Sequence, residues 1–142
     1  MRETVSKYVQ NIADALVAGD ASSLGRFYRY PLAVFMNDSI SVELNEEASV
    51  KIFYDRRETL LRSGVKDIET RVLEVKEETD GRLRVTADWN FLTESRRVIA
   101  QNKLRYFCRV ETDGELTIEI IEFLERNMGS MPDLMESVSR LH

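Results

Sequence analysis

One cysteine, one histidine, two prolines and six glycines are all that 142 residues contain of these types. Cys108 alone cannot form an internal disulfide. With His142, the last residue, as the single histidine, a His-based zinc site, a cysteine–histidine pair and a serine–histidine triad are not expected. No metal and no cofactor is called for by the residues that remain. No window approaches the ~18 consecutive apolar residues of a membrane helix. The opening "MRETVSKYV" also lacks the apolar run of a signal peptide, so a cytoplasmic location is expected.

Positive charge is the scarcer sign. Against 25 acidic residues stand 20 lysines and arginines, a net charge of −5, and a field of that sign repels phosphate backbones and anionic lipid surfaces. Neither nucleic acid nor a membrane is therefore an expected partner. The pairs Arg56/Arg57 and Arg96/Arg97 are short and set among acids, as on solvated faces or turns.

What is present is the composition of a folded globular chain, 43% hydrophobic and 32% charged. Its length suits a single domain over 1–142, large enough to bury about 70% of its unfolded surface.

Val5, Tyr8, Val9, Ile12, Ala15 and Leu16 recur at helical spacing and Gly19 stops them, which predicts an amphipathic first helix. Asp20 can cap a short second helix, "ASSLGRFY", whose Leu24, Phe27 and Tyr28 share a face. Pro31 pushes Tyr30 out of the helical region, so the chain turns extended there. "LAVF", Met36-Asn37-Asp38 and "SISVEL" read as a hairpin, and Asn45 caps a third helix over 46–62 that Gly64 ends. From Lys66 the apolar period becomes two, in strands near 66–78, 82–94, 97–111 and 115–124. Pro132, Leu134, Met135, Val138 and Leu141 predict a short terminal helix.

This order, with "FYRYPLAVF" entering the hairpin, "ADWNF" in a strand and "KLRYFCRVETDGELTI" before the last strand, resembles the nuclear transport factor 2-like superfamily. Its bacterial members include SnoaL-like, polyketide-cyclase-like proteins. The resemblance covers nearly the whole chain. It implies an α+β, cystatin-like fold: a curved antiparallel sheet wrapped as a cone around three N-terminal helices, with an apolar pocket and often a homodimer. It implies no single reaction, because the superfamily holds both enzymes and plain binders.

Strand parity locates the expected pocket. Leu83, Val85, Ala87, Trp89 and Phe91 are odd-numbered, whereas Ala100, Leu104, Tyr106, Cys108 and Val110 are even-numbered, so an even loop centred on Ser95/Arg96 puts both sets on one face. Trp89 then opposes Asn102, Ala87 opposes Leu104, and Val85 opposes Tyr106. An odd loop, Thr112-Asp113-Gly114, brings Leu116, Ile118 and Ile120 to the same face, with Tyr106 opposite Ile120 and Leu104 opposite Glu122. Asn102 and Glu122 thereby interrupt an apolar wall as diagonal neighbours. At the turn before the second long strand both parities leave apolar residues inward, Val72 in one case and Leu73 and Val75 in the other.

In the third helix Val50, Phe53, Tyr54, Leu60 and Leu61 form a stripe with Arg57 in its middle, where a guanidinium needs a carboxylate, carbonyls or a bound anion. Phe27 and Phe35 are expected in the core, and Tyr30 at the pocket mouth. Cys108 reads as a small buried hydrophobe. Leu92, Ile99, Phe107, Ile121 and Phe123 have outward parity, and such a half-apolar second face suits a two-fold homodimer or the terminal helix.

The expected function is binding of a small, largely apolar organic molecule between the third helix and the sheet. Tyr30, Trp89 and Tyr106 would be its walls, and Arg57, Asn102 and Glu122 its polar contacts. A second reading is a cofactor-free isomerase, cyclase or dehydratase, because enzymes of the resembled superfamily use pocket carboxylates as proton shuttles. Asp55 lies on the polar side of its helix and Asp88 has outward parity, which leaves Glu122 as the candidate base and favours a binder over an enzyme. A third is an interaction module whose pocket is filled by its own side chains.

Overall fold

The computed structural model describes residues 1–127; the expected terminal helix at 132–141 lies outside the described residues. Helix α1 (Arg2–Ala18) buries Val5, Val9, Ile12 and Ala13. Gly19, at φ 75°, closes it in the left-handed region that glycine adopts without strain. The expected second helix is split into a single 3-10 turn (Ala21–Ser23) and a four-residue α2 (Leu24–Phe27). Asp20 caps that turn by accepting the Ser22 N–H. The chain is already extended at Tyr28, where strand β1 (Tyr28–Met36) begins.

Strand β2 (Ser39–Glu43) completes the expected hairpin. Asn45 then accepts the Ala48 N–H at 2.9 Å and starts helix α3 (Glu46–Arg62) at the predicted residues. Strands β3 (Asp67–Glu77), β4 (Arg82–Leu92), β5 (Val98–Val110) and β6 (Leu116–Asn127) form the predicted antiparallel meander. The hairpin joins the same sheet through a parallel pairing of β1 with β6, giving the order β2-β1-β6-β5-β4-β3. The fold is the expected cystatin-like α+β class, with a mixed sheet in place of a purely antiparallel one.

The β4–β5 register is as the parity argument requires: Trp89 opposes Asn102, Ala87 opposes Leu104 and Val85 opposes Tyr106. The β5–β6 hairpin also begins as expected, with Gly114 at φ 85° and Cys108 opposite Ile118. Beyond Ile118 the ladder shifts. Phe107 pairs with Ile120 and Tyr106 with Ile121, so Glu119 is an extra residue on β6, and Leu124 is another further along. A bulge inserts one residue, and a shift of one residue sends every later side chain to the other face. Ile121 and Phe123 therefore turn inward, contrary to their expected outward parity. Glu122 turns outward, opposite Arg105 rather than Leu104.

A bulge also resolves β3. Val72 opposes Ala87, Leu73 is the extra residue, and Val75 opposes Val85, so the two alternative apolar sets are used in succession.

Helix α3 shows a rotation of its expected face. Ser49, Ile52, Phe53 and Leu60 are buried, while Tyr54 and Leu61 are 50% and 46% exposed. The inward stripe runs 49, 52, 53, 56, 60. At about 100° per residue, a one-residue error replaces Arg56 by Arg57 at its centre.

Phe27 is in the core as expected, but Phe35 is not: β1 sends Leu32 and Val34 inward, and Phe35 lies half-buried on the outer face opposite Ile40. Cys108 is a buried free thiol.

Candidate functional site

A cavity of about 70 Å³ lies between the helices and the sheet. Its helical wall is Ile12 and Leu16 of α1 with Ile52, Phe53 and Arg56 of α3. Its sheet wall is Leu32, Phe91, Leu104, Ile121 and Phe123. Into this apolar surround the fold brings Tyr28, Glu43, Ser49, Trp89, Asn102 and Tyr106. At the ~10–15 Å³ such a measure requires per water, there is room for roughly five waters, or for an organic molecule of fewer than about ten non-hydrogen atoms.

Trp89 and Asn102 are direct cross-strand neighbours, 8% and 3% exposed. Neither the indole Nε1 nor the Asn102 Oδ1 has a well-formed hydrogen bond among the described residues. The indole N–H leans toward the Tyr106 hydroxyl without closing a bond of good geometry. A buried polar atom left without a partner costs about 1–3 kcal/mol, so two adjacent ones in a cavity wall call for an explanation.

Glu43 is 3% exposed, and the Ser49 hydroxyl donates to its Oε1 at 2.5 Å. Alternation along β2 points Ser41 and Glu43 inward together. The Asn45 cap then turns the chain so that Ser49, in the first turns of α3, meets that carboxylate. Burial raises the phenols of Tyr28 and Tyr106 above their ordinary range, against the opposing pull of the Arg56 charge. Both are therefore neutral hydroxyls at physiological pH.

The structure brings together three of the expected ligand contacts, since Trp89, Asn102 and Tyr106 all line the cavity. Tyr30 is half-buried against the core, and its hydroxyl lies near Ser49 and Glu43 without a well-formed partner, outside the cavity lining. Burial raises its pKa, opposed by Ser49. Arg57 is not at the cavity. Its Nε donates to Val17 O at 3.3 Å, and its guanidinium covers Gly19, where an added Cβ would stand 2.8 Å from Nε. It meets the carbonyl end of α1, where the helix dipole favours a cation. Glu122 is not at the cavity either: the Glu119 bulge places it on the outer face, where Arg105 Nη1 bonds its Oε1 at 3.1 Å.

Among the described residues no group of three or more histidine, cysteine, aspartate and glutamate side chains is placed to hold a metal ion. No helix among them is long and apolar enough to cross a membrane.

Residues 1–125 match the profile of a family described as NTF2-like protein (DUF6841). The chain belongs to this family. Solved structures agree on the NTF2-like fold. A cystatin-like protein of unknown function from Nostoc punctiforme superposes with a TM-score of 0.65 at 12% identity, covering 92% of this chain and 93% of that one. Aln2 from a Streptomyces species gives 0.65 at 13% identity, covering 88% and 89%. An NTF-2-like protein of unknown function from Shewanella oneidensis gives 0.64 at 12%, covering 87% and 98%. At such identities the likeness is one of fold alone. No curated protein matched the chain in sequence.

The polar cavity residues of this NTF2-like chain that sequence reasoning missed are Tyr28, Glu43, Ser49 and Arg56. A signal existed for two of them. Ser49, Ile52, Phe53, Arg56 and Leu60 follow the i, i+3, i+4, i+7, i+11 spacing of one helical face, a better fit than the stripe through Tyr54 and Leu61. Glu43 ends a strand whose alternation with Ser41 is visible, but its two inward residues are both polar, and a polar set does not announce a buried face.

Proposed function

We propose that this NTF2-like chain binds a small, largely apolar organic molecule in the cavity between α3 and the sheet. The observation that supports it is the apolar cavity whose wall holds two adjacent buried polar atoms, Trp89 Nε1 and Asn102 Oδ1, without a well-formed hydrogen bond among the described residues. Ligand sites are commonly apolar hollows with a few convergent polar groups. Tyr106 and Trp89 serve as walls and Asn102 as a polar contact; Tyr30 stands beside Glu43 and Ser49 at the edge. Trp89 is the single tryptophan, so its emission reports occupancy directly. Titration with a panel of small apolar molecules is expected to change that emission saturably and to raise the melting temperature, by the equivalent of about 2.7 kcal/mol at one hundred times Kd. A panel in which no member does either replaces this reading with that of an interaction module.

The buried carboxylate supports a second reading, a cofactor-free isomerase, cyclase or dehydratase with Glu43 rather than Glu122 moving the proton. Loss of turnover in Glu43→Gln, with the fold retained, is the result that reading requires. A homodimer is proposed through the outer face, where Phe35, Ile40, Val42, Phe107 and Ile120 gather. Sedimentation at graded concentrations tests it; a monomer throughout removes it.

A further inference from the structure

From the cavity's donors and acceptors we infer the ligand's head group: a neutral hydroxyl on a compact hydrocarbon body, bridging the Trp89 indole N–H and the Asn102 amide oxygen. The inference rests on the binding reading above and narrows it. Trp89 Nε1 can only donate and Asn102 Oδ1 can only accept, and neither has a well-formed hydrogen bond among the described residues. They oppose each other directly across β4 and β5, where side chains stand about 5 Å apart. A hydroxyl is the smallest group that accepts from one and donates to the other. A ketone satisfies the indole and leaves the amide oxygen bare. A hydrocarbon satisfies neither.

Charge selects against ions. Among the described residues Glu43 and Arg56 are the charged side chains of the lining, one of each sign, so these residues offer no surplus charge to set against an ionic ligand. A carboxylate entering beside Glu43 meets a like charge in a low-dielectric space, and an ammonium meets Arg56 while giving the indole N–H no acceptor. The walls supply the rest: Phe53, Phe91, Leu104, Ile121 and Phe123 present hydrocarbon to the ligand body.

The test compares five probes of one shape on the full chain: cyclohexanol, cyclohexanone, methylcyclohexane, cyclohexanecarboxylate and cyclohexylammonium. Binding is followed by the Trp89 indole N–H resonance in ¹⁵N-labelled protein. The alcohol is expected to move that resonance saturably and to bind at least tenfold more tightly than the ketone or the hydrocarbon, with no saturable shift from either ion. In Asn102→Leu the preference for alcohol over hydrocarbon is expected to fall below threefold. Should the hydrocarbon or ketone bind as well as the alcohol, or an ion bind better, the head-group assignment is overturned while the cavity remains a binding site. If no probe moves the resonance, both readings fail together. The wild-type comparison decides the matter even if Asn102→Leu does not fold.

Discussion

Ser49 Oγ lies 2.5 Å from Glu43 Oε1, tying the start of α3 to the last residue of β2 across the edge of the cavity. The chain between them is short, and Asn45 caps the helix within it. One hydroxyl thus holds a buried carboxylate in place while the backbone turns from strand to helix.

Removing that hydroxyl should be felt. Ser49→Ala leaves a 3%-exposed carboxylate without its donor, and hydrogen bonds to charged groups contribute about 1.5–3 kcal/mol. Urea unfolding is expected to show a loss in that range. Glu43→Gln keeps an acceptor for Ser49 and should lose less. A Ser49→Ala midpoint equal to wild type would falsify the structural role given to this contact.

Stability should fall on the alkaline side. Burial pushes the Cys108 thiol up to about 12, and Tyr8, Tyr28 and Tyr106 are raised as well. A group whose pKa is raised in the folded state keeps a proton that the unfolded chain has lost. Its contribution is complete below the unfolded pKa, near 8.5 for a thiol, and disappears as pH climbs toward the folded value. Each such group lowers stability by about 1.4 kcal/mol per pH unit inside its window. Cys108→Ala is expected to delay the onset of the fall from about pH 9 toward pH 10, where tyrosines take over. Equal slopes for wild type and variant between those values would show that Cys108 is not buried as a thiol.

Arg57 and Gly19 should be coupled. Gly19→Ala places a Cβ against the guanidinium at a φ of 75° that alanine resists, for a loss of about 1–2 kcal/mol. Arg57→Ala removes a cation from the end of α1, for about 0.3–1 kcal/mol. The double variant is expected to lose less than the sum of the two, because the steric part vanishes with the arginine. Strict additivity in thermal unfolding would place Arg57 elsewhere.

Glu122→Gln should do little. Its ion pair with Arg105 is partly exposed, with side chains 37% and 32% accessible, and pairs of that kind contribute about 0–1 kcal/mol. Probe affinity at the cavity is expected to stay within twofold of wild type. A large affinity loss would mean that β6 carries Glu122 inward and that the bulge at Glu119 is absent.

The chain's own order of residues determined the first and third helices, the hairpin, the four long strands, and the cross-strand neighbours Trp89 and Asn102, because a loop of known parity between two alternating strands leaves no freedom in which side chains share a face. Arg57, Glu122 and Phe35 were misplaced for local reasons of a similar kind. A helix face one residue off exchanges Arg56 for Arg57. A single extra residue on β6 exchanges Glu122 for Ile121 and Phe123. Phe35 was expected inside by its chemistry, whereas β1 alternation places Leu32 and Val34 there instead. The bulges at Leu73, Glu119 and Leu124 were not legible in the pattern, since apolar residues stand on both sides of each step.

Only the tertiary structure decided which polar groups share the cavity. Glu43 and Ser49 come from the sheet's edge and a helix start, and they line the same cavity as Asn102 because β1 lies parallel to β6, a pairing between strands more than eighty residues apart. Periodicity records which face of an element is buried. It does not record where a strand is bent by one residue, or which distant strand it meets, because those follow from how the whole sheet closes over its helices.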